Sequence, residues 1–381
     1  PNKANRPFVF NGNKYETPRE LANGFVQNWD AAVTPIKDGS LNIWLRRGFN
    51  DEALIETVND AMSDLVNVDR ADDSLVARVC IALDPDAPLR YRELRATVGG
   101  LGMLIGHYLE DDDMRDLFTQ VMREQLYDFW QKKQARISEV QQKFVDDYDR
   151  SRNNLDRIGL GLGIERVAYD LNINLPCRSS VLANDYVIEA EELLPVLEQL
   201  ATSGVEFSSL VDRNMAAFLA SKMERHVQAD LRDLDNKVDP YIPLIASVKI
   251  LSTLQERVAK ADFVDLAGAV ATMIEPSVER FHSRTVRKRV RGGLKKATRT
   301  GRLSHLVGTI NDPRNVAADA AAFKQASAAY AQTVMEDQWV EYEKTHREYF
   351  AREKGAQMAA TVSGVITCIA SILIFVFMMF F

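Results

Sequence analysis

The sequence predicts a mainly α protein: a multi-helix cytoplasmic body with a small N-terminal hairpin, a long helical stalk and one C-terminal transmembrane helix. Three observations predict it. Apolar residues recur at three- and four-residue spacing along most of the chain, and no window shows the strict alternation of a large sheet. After Asp312-Pro313 there is neither glycine nor proline as far as Lys354. From Ala359 to Phe381 run 23 residues without a charge.

The hairpin comes first. Phe8-Val9-Phe10, Asn11-Gly12 and Asn13-Lys14-Tyr15 place an Asn-Gly pair where a type I′ turn needs positive φ. Thr17-Pro18-Arg19-Glu20 then reads as a capping box with proline at the first helical position. The helix that follows carries Leu21, Phe25 and Trp29 on one face. A second is expected after Asn50, with Leu54, Val58, Met62 and Leu65 aligned.

Helical patterns recur over 91–107, 114–133 and 137–158. The charged stretch 131–157 has no proline or glycine and is expected as a single extended helix. Gly159, Gly161 and Gly163 break the pattern and predict a turn or close backbone packing. Their spacing does not match the dinucleotide fingerprint, and no phosphate-binding P-loop occurs. A short helix from Glu165, stopped at Pro176, is expected next. A helix over 189–201 with Pro195 at a kink or in its first turn follows, then helical stretches over 205–234 and 242–282.

The stalk starts at Asp312-Pro313, a cap followed by proline, and Ala317–Ala331 is rich in alanine. A continuous helix from there to Lys354 would reach about 60 Å. Met335, Trp339, Tyr342, His346 and Tyr349 form a stripe along it. Packing against the body or a second stalk is expected, with membrane-interface contact near Tyr349 and Phe350 as the other reading. The uncharged helix after it reaches roughly 34 Å, against a hydrocarbon core of about 30 Å. On that helix Ala356, Ala360, Gly364 and Cys368 recur every four residues beside Ser363, Thr367 and Ser371, a face suited to helix pairing. If Phe381 is the natural end, the segment is a tail anchor.

The expected organisation is therefore an N-terminal helical domain over 1–158, a second over 159–311, a stalk over 312–358 and a membrane helix over 359–381. The N-terminus opens no apolar run of signal-peptide length, so the soluble part is expected in the cytoplasm.

Composition narrows the function. The balance of 46% hydrophobic and 27% charged residues is that of a globular chain, and a net charge of −7 argues against bulk nucleic-acid binding. Against this acidic background, nine basic residues and no acidic one lie between Arg284 and Arg302: Arg284, Arg287, Lys288, Arg289, Arg291, Lys295, Lys296, Arg299 and Arg302. Contact with anionic lipid headgroups, docking to an acidic partner or to Glu110-Asp111-Asp112-Asp113, and a solvated face all remain open. Nucleic acid is disfavoured because no aromatic residue interleaves with the charges.

Cys80, Cys177 and Cys368 are odd in number and far apart, and His107, His226, His282, His305 and His346 are scattered. Asp111–Asp113 and Asp146-Asp147-x-Asp149 lack the glycine and terminal glutamate of a calcium loop. The sequence thus predicts no disulfide framework, no metal, no cofactor and no catalytic residue.

Two stretches carry a likeness. One is Phe8-x-Phe10-x-Gly12, Leu21-Ala22, Asn28-Trp29-Asp30-x-Ala32 and Asp38-Gly39-Ser40-Leu41-x-x-Trp44-Leu45-Arg46. The other is Glu165-Arg166-x-x-Tyr169-x-Leu171-Asn172-x-x-Leu175-Pro176-Cys177. Together they resemble helical modules of poorly characterised bacterial proteins associated with kinase-like or Hsp70-like partners. The resemblance implies a bacterial source and a protein-interaction role, and it carries no catalytic residue. From the residues alone, Trp29, Trp44 and Leu45 are expected in the core.

The sequence reading is therefore a non-enzymatic adaptor or scaffold at the inner membrane, contacting lipid and a protein partner, with homo-oligomers through the last helix. An oligomerising effector that forms a pore or lesion is the alternative, and an enzyme with a site assembled from distant residues stands third.

Overall fold

The computed structural model describes residues 3–49, 51–63, 71–182, 184–205, 207 and 209–380. The fold is mainly helical. Strands β1 (Phe8–Phe10) and β2 (Asn13–Tyr15) pair antiparallel with Phe8 opposite Tyr15. Asn11 and Gly12 take φ of 44° and 79°, the turn that the Asn-Gly pair predicts. Helix α1 (Pro18–Gln27) opens on the complete Thr17/Glu20 capping box, as expected.

α1 ends sooner than its apolar spacing suggests. Asn28 leaves helical geometry while its side-chain amide bonds back to the Gly24 carbonyl at 3.3 Å. Two short helices that the sequence reading missed follow, α2 (Trp29–Lys37) and α3 (Ser40–Gly48), divided by Gly39 at φ 80°. Leu21, Phe25, Trp29, Trp44 and Leu45 are all buried, as expected of core positions. α4 (Glu52–Met62) carries Leu54, Val58 and Met62 on its inner side, whereas Leu65 lies outside the described residues. α5 (Ala71–Leu83), also unforeseen, is apolar on nearly every side because α1, α2 and α4 pack around it.

The helical reading of 91–107 is corrected in its first half. Strands β3 (Leu89–Tyr91) and β4 (Leu94–Ala96) form a second hairpin, and only α6 (Val98–His107) is helical. Leu89, Tyr91, Leu94 and Ala96 point inward, and Arg92 turns the chain at φ 51°. The single helix expected over 131–157 is likewise corrected. α7 (Asp112–Arg123) and α8 (Leu126–Lys132) are separated by Gln125 at φ 52°. α9 (Glu139–Arg152) starts afresh at a Ser138/Gln141 capping box.

Gly159, Gly161 and Gly163 have φ of 135°, 81° at the last and 79° between, so the turn reading holds. α10 (Gly163–Leu171) follows, then α11 (Ala190–Thr202), which carries Pro195 in its interior and not in its first turn. The remaining stretches are more divided than expected. α12 (Arg213–Leu234) breaks at Met223, α13 (Tyr241–Leu254) runs into a π turn at Gln255–Ala259, and α14 (Val264–Ile274) precedes a 3₁₀ turn. α15 (Arg284–Thr298) and α16 (Leu303–Ile310) follow. α12 lies on α10 and α13, and α13 on α16.

The chain forms two compact units, Pro1–Val278 with Arg291–Ile310, and Glu279–Val290 with Asn311–Phe381. The second holds α17 (Pro313–Thr345) and α18 (Arg347–Phe380). Asp312 caps α17 through the Arg314 amide, as its Asp-Pro start predicts. The expected continuous stalk is corrected: His346, at φ −107° and ψ 29°, leaves helical geometry. Residues eleven apart on a straight helix lie about 16 Å apart along its axis. Here the Trp339 and Phe350 rings are 5.9 Å apart, and Glu343 Oε1 lies 3.8 Å from Lys354 Nζ. The axis therefore turns at His346, toward the face of Trp339, Tyr342 and Phe350.

Candidate functional site: the apolar helix and the basic helix

α18 begins with mixed charges, Arg347, Glu348, Arg352, Glu353 and Lys354, and is uncharged from Gly355 onward. Its most apolar window has a mean hydropathy of 2.5 and none of it is buried. A core helix of similar composition would be covered by its neighbours, so exposure is what separates the two cases. Among the described residues it is the one helix long and apolar enough to cross a membrane.

The small-residue face lies open on this helix. Ala360, Gly364 and Cys368 are exposed, as are Ser363, Thr367 and Ser371 beside them. Nothing occupies the space a side chain would take at Gly364. The Thr367 hydroxyl donates to the Ser363 carbonyl of its own helix at 2.8 Å, so it is satisfied without a partner.

α15 explains the basic segment as one amphipathic helix. Val286, Val290, Leu294 and Ala297 are buried. At about 100° per residue, Arg284, Lys288, Lys295 and Arg299 fall within roughly 60° of each other, on the side away from those four, with Arg299 one position past the helix. The nine cations divide into two sets. Arg287 pairs with Glu279, Arg291 Nε with Glu275 Oε1 at 2.6 Å and Arg302 with Asp262, while Arg289 Nη1 reaches Asn315 Oδ1 at 3.5 Å. Arg284, Lys288, Lys295, Lys296 and Arg299 are exposed and make no ion pair among the described residues. The acids that do pair are Asp262, Glu275 and Glu279, not the 110–113 cluster.

That cluster has a local task. Asp111 caps α7 by accepting from the Met114 amide at 3.0 Å, and Asp112 pairs with Arg115 at 2.5 Å. Asp146 accepts from Gln142 at 2.8 Å, Asp147 pairs with Arg150, and Asp149 accepts from the Tyr127 hydroxyl at 2.8 Å. Among the described residues no group of three His, Cys, Asp or Glu is arranged to hold a metal.

One cleft of about 890 Å³ lies beside Ser179, Ser180 and Asp212. Its carboxylate, Asp212, caps α12 through the Met215 amide at 2.8 Å and accepts from Ser179 and Ser180. Burial lifts the Cys177 thiol near this cleft to about 12, which suppresses the thiolate a nucleophile needs. Cys80, enclosed in α5, is likewise raised to about 12 by burial.

Sequence reasoning missed the Trp339–Phe350 corner, because His346 is neither glycine nor proline. It also missed Asp319, which fixes the start of α15 from α17. The signal for Asp319 was faint: one carboxylate in an alanine-rich run.

Fold and site together define a mainly helical protein with, among the described residues, a single candidate membrane-spanning helix near its C-terminal end. Comparison with protein-family models, curated proteins and solved structures gives no match to this chain.

Proposed function

We propose that this chain is a membrane-anchored adaptor. α18 crosses the cell inner membrane, and the helical body on the cytoplasmic side holds a protein assembly there without chemistry of its own. The observation that carries the reading is the complete exposure of α18's apolar window. Arg347, Arg352 and Lys354 at its N-terminal side fit the excess of basic residues in cytoplasmic flanks. The unpaired stripe on α15 suits anionic headgroups, at about 1 kcal/mol per basic residue near the surface. The Ala360–Gly364–Cys368 face supports association between copies. A kinase-like or Hsp70-like protein is the partner the sequence resemblance favours.

The pore-forming alternative drew on the Ser363–Thr367–Ser371 stripe. The Thr367 hydroxyl donates to its own helix, so that stripe offers one donor fewer to a polar lumen.

The test is membrane fractionation followed by alkaline extraction and mild-detergent purification after in-cell cross-linking. The adaptor reading expects a pellet-resistant protein that elutes with a partner in fixed stoichiometry and leaves the membrane potential intact. A monomer without a partner, or collapse of the potential on expression, counts against it.

A further inference from the structure

The bend at His346 changes which residues share a depth in the bilayer. From Gly355 to Phe380 the uncharged part of α18 reaches about 39 Å, more than a hydrocarbon core of about 30 Å and close to the 40–45 Å that includes the headgroups. With the hydrocarbon starting at Gly355, next to the last charge Lys354, the surplus length of the run is taken up by tilt and the far headgroup layer, and Phe350, about 7 Å before Gly355, falls in the near headgroup layer. On a straight stalk Trp339 would stand about 16 Å farther out, clear of the lipid. The corner removes that separation, since the Trp339 and Tyr342 rings each lie 5.9 Å from the Phe350 ring. Whatever the tilt of either helix, contact at that distance holds the three rings near one depth.

The chemistry of the corner matches that depth. Trp339, Tyr342 and Tyr349 are 54%, 49% and 65% exposed, so an aromatic cluster faces outward. Trp and Tyr combine an apolar ring with a polar tip and collect at membrane–water interfaces. The Trp339 indole N–H already donates to Glu343 at 3.2 Å, and Glu343 also pairs with Lys354. The polar atoms thus have partners at the edge of the hydrocarbon.

We infer that the corner of Trp339, Tyr342 and Phe350 is an interfacial anchor seated among the lipid headgroups beside the α18 span. The inference rests on α18 crossing a bilayer. Its occupant is lipid and not an acidic partner. Between Met335 and Lys354 the acids Glu336, Asp337, Glu341, Glu343, Glu348 and Glu353 outnumber the bases Lys344, Arg347, Arg352 and Lys354. Ring burial, not attraction to anionic lipid, seats the corner, so uncharged phosphatidylcholine is sufficient. The corner also sets how α17 leaves the membrane, because rings held at the surface hold the end of α17 beside it.

Trp339 is a usable probe, since Trp29, Trp44 and Trp130 are only 7–8% exposed. The full chain is reconstituted into phosphatidylcholine vesicles, with and without lipid brominated near the glycerol. The Trp339 signal is the difference between wild type and Trp339→Phe. The expected result is a blue shift of that signal and a loss of at least half of it in brominated vesicles. Alkaline extraction of the same vesicles reports on the span separately. A protein that resists extraction while its Trp339 signal is unquenched retains the span and overturns the anchor. A blue-shifted but unquenched signal overturns it too, and gives the face to another copy of the chain. Release by alkali removes the span and the anchor with it.

Discussion

Asp319 accepts a hydrogen bond from the Ser283 amide at 2.7 Å and another from the His282 amide at 3.1 Å. One side chain of α17 therefore holds two backbone donors immediately before α15, the helix that carries the basic stripe. The His282 ring stands 3.3 Å from the same carboxylate and packs on Phe323.

Replacing Asp319 by alanine removes both acceptors, at a cost of about 1–2 kcal/mol. Hydrogen exchange at the amides of Ser283 and the first turn of α15 is expected to speed up by at least several-fold, with α5 unaffected. The effect has a defined pH sign. Burial works against the charged form of Asp319, but the Ser283 and His282 amides outweigh it and hold its pKa below the usual carboxylate range. A folded pKa below the unfolded value gives stability that is complete above the unfolded value, about 3.9, and is lost as pH falls through the folded one. The difference between wild type and Asp319→Asn should be constant above about pH 5 and shrink under stronger acid. A difference that grew on acidification would contradict this role of Asp319.

Gln255 offers a second test. It is almost fully enclosed, donates to the Ala261 and Gly301 carbonyls at 2.7 and 2.8 Å, and accepts from the Leu303 amide at 2.8 Å. Gln255→Leu keeps the volume but strands two acceptors and a donor. The expected loss is about 3 kcal/mol, read from the urea midpoint. A near-neutral result would mean that water reaches these groups.

What was legible in the sequence was local chemistry. Asn11-Gly12, Thr17/Glu20 and Asp312-Pro313 each encode a backbone geometry in a few adjacent residues, and each appears as read. The apolar run of α18 was equally plain, because no charge interrupts it. Breaks made by ordinary residues were not legible. Asn28, Gln125 and His346 end helices through geometry that tertiary contacts stabilise, without glycine or proline to mark them. The β3–β4 hairpin escaped because two three-residue strands are too short for alternation to show. Within the basic segment, spacing identified the cations but not which ones pair, since their acids lie up to 40 residues away in sequence, as Asp262 does from Arg302.

Gly161 tests a tight approach that the glycine triplet suggested. It sits at φ 79°, and a methyl group there would lie 2.8 Å from Leu231 Cδ1 and 3.3 Å from the Ala216 carbonyl oxygen. Gly161→Ala is expected to cost about 2 kcal/mol, from left-handed strain together with the collision against α12. Gly204, also at positive φ but with open space around it, provides the control. Gly204→Ala should cost about 1 kcal/mol, from backbone strain alone. Equal losses at the two sites would show that packing against α12 contributes nothing.

The last prediction separates the two faces of α18. Burial raises the thiols of Cys80 and Cys177 to about 12, whereas Cys368 is exposed on the apolar helix beside Gly364. Oxidative cross-linking in membranes therefore reads Cys368 alone. If copies pair through Ala360, Gly364 and Cys368, backbones approach closely at Gly364, where no side chain intervenes. A Cys368-linked dimer is then expected, and Gly364→Ile should reduce it at least several-fold by forcing the helices apart. Thr367→Val should leave it intact, because the Thr367 hydroxyl is already held by the Ser363 carbonyl at 2.8 Å. The reverse pattern, with Thr367→Val abolishing the dimer and Gly364→Ile tolerated, would move the contact to the hydroxyl stripe and favour a polar-lined oligomer.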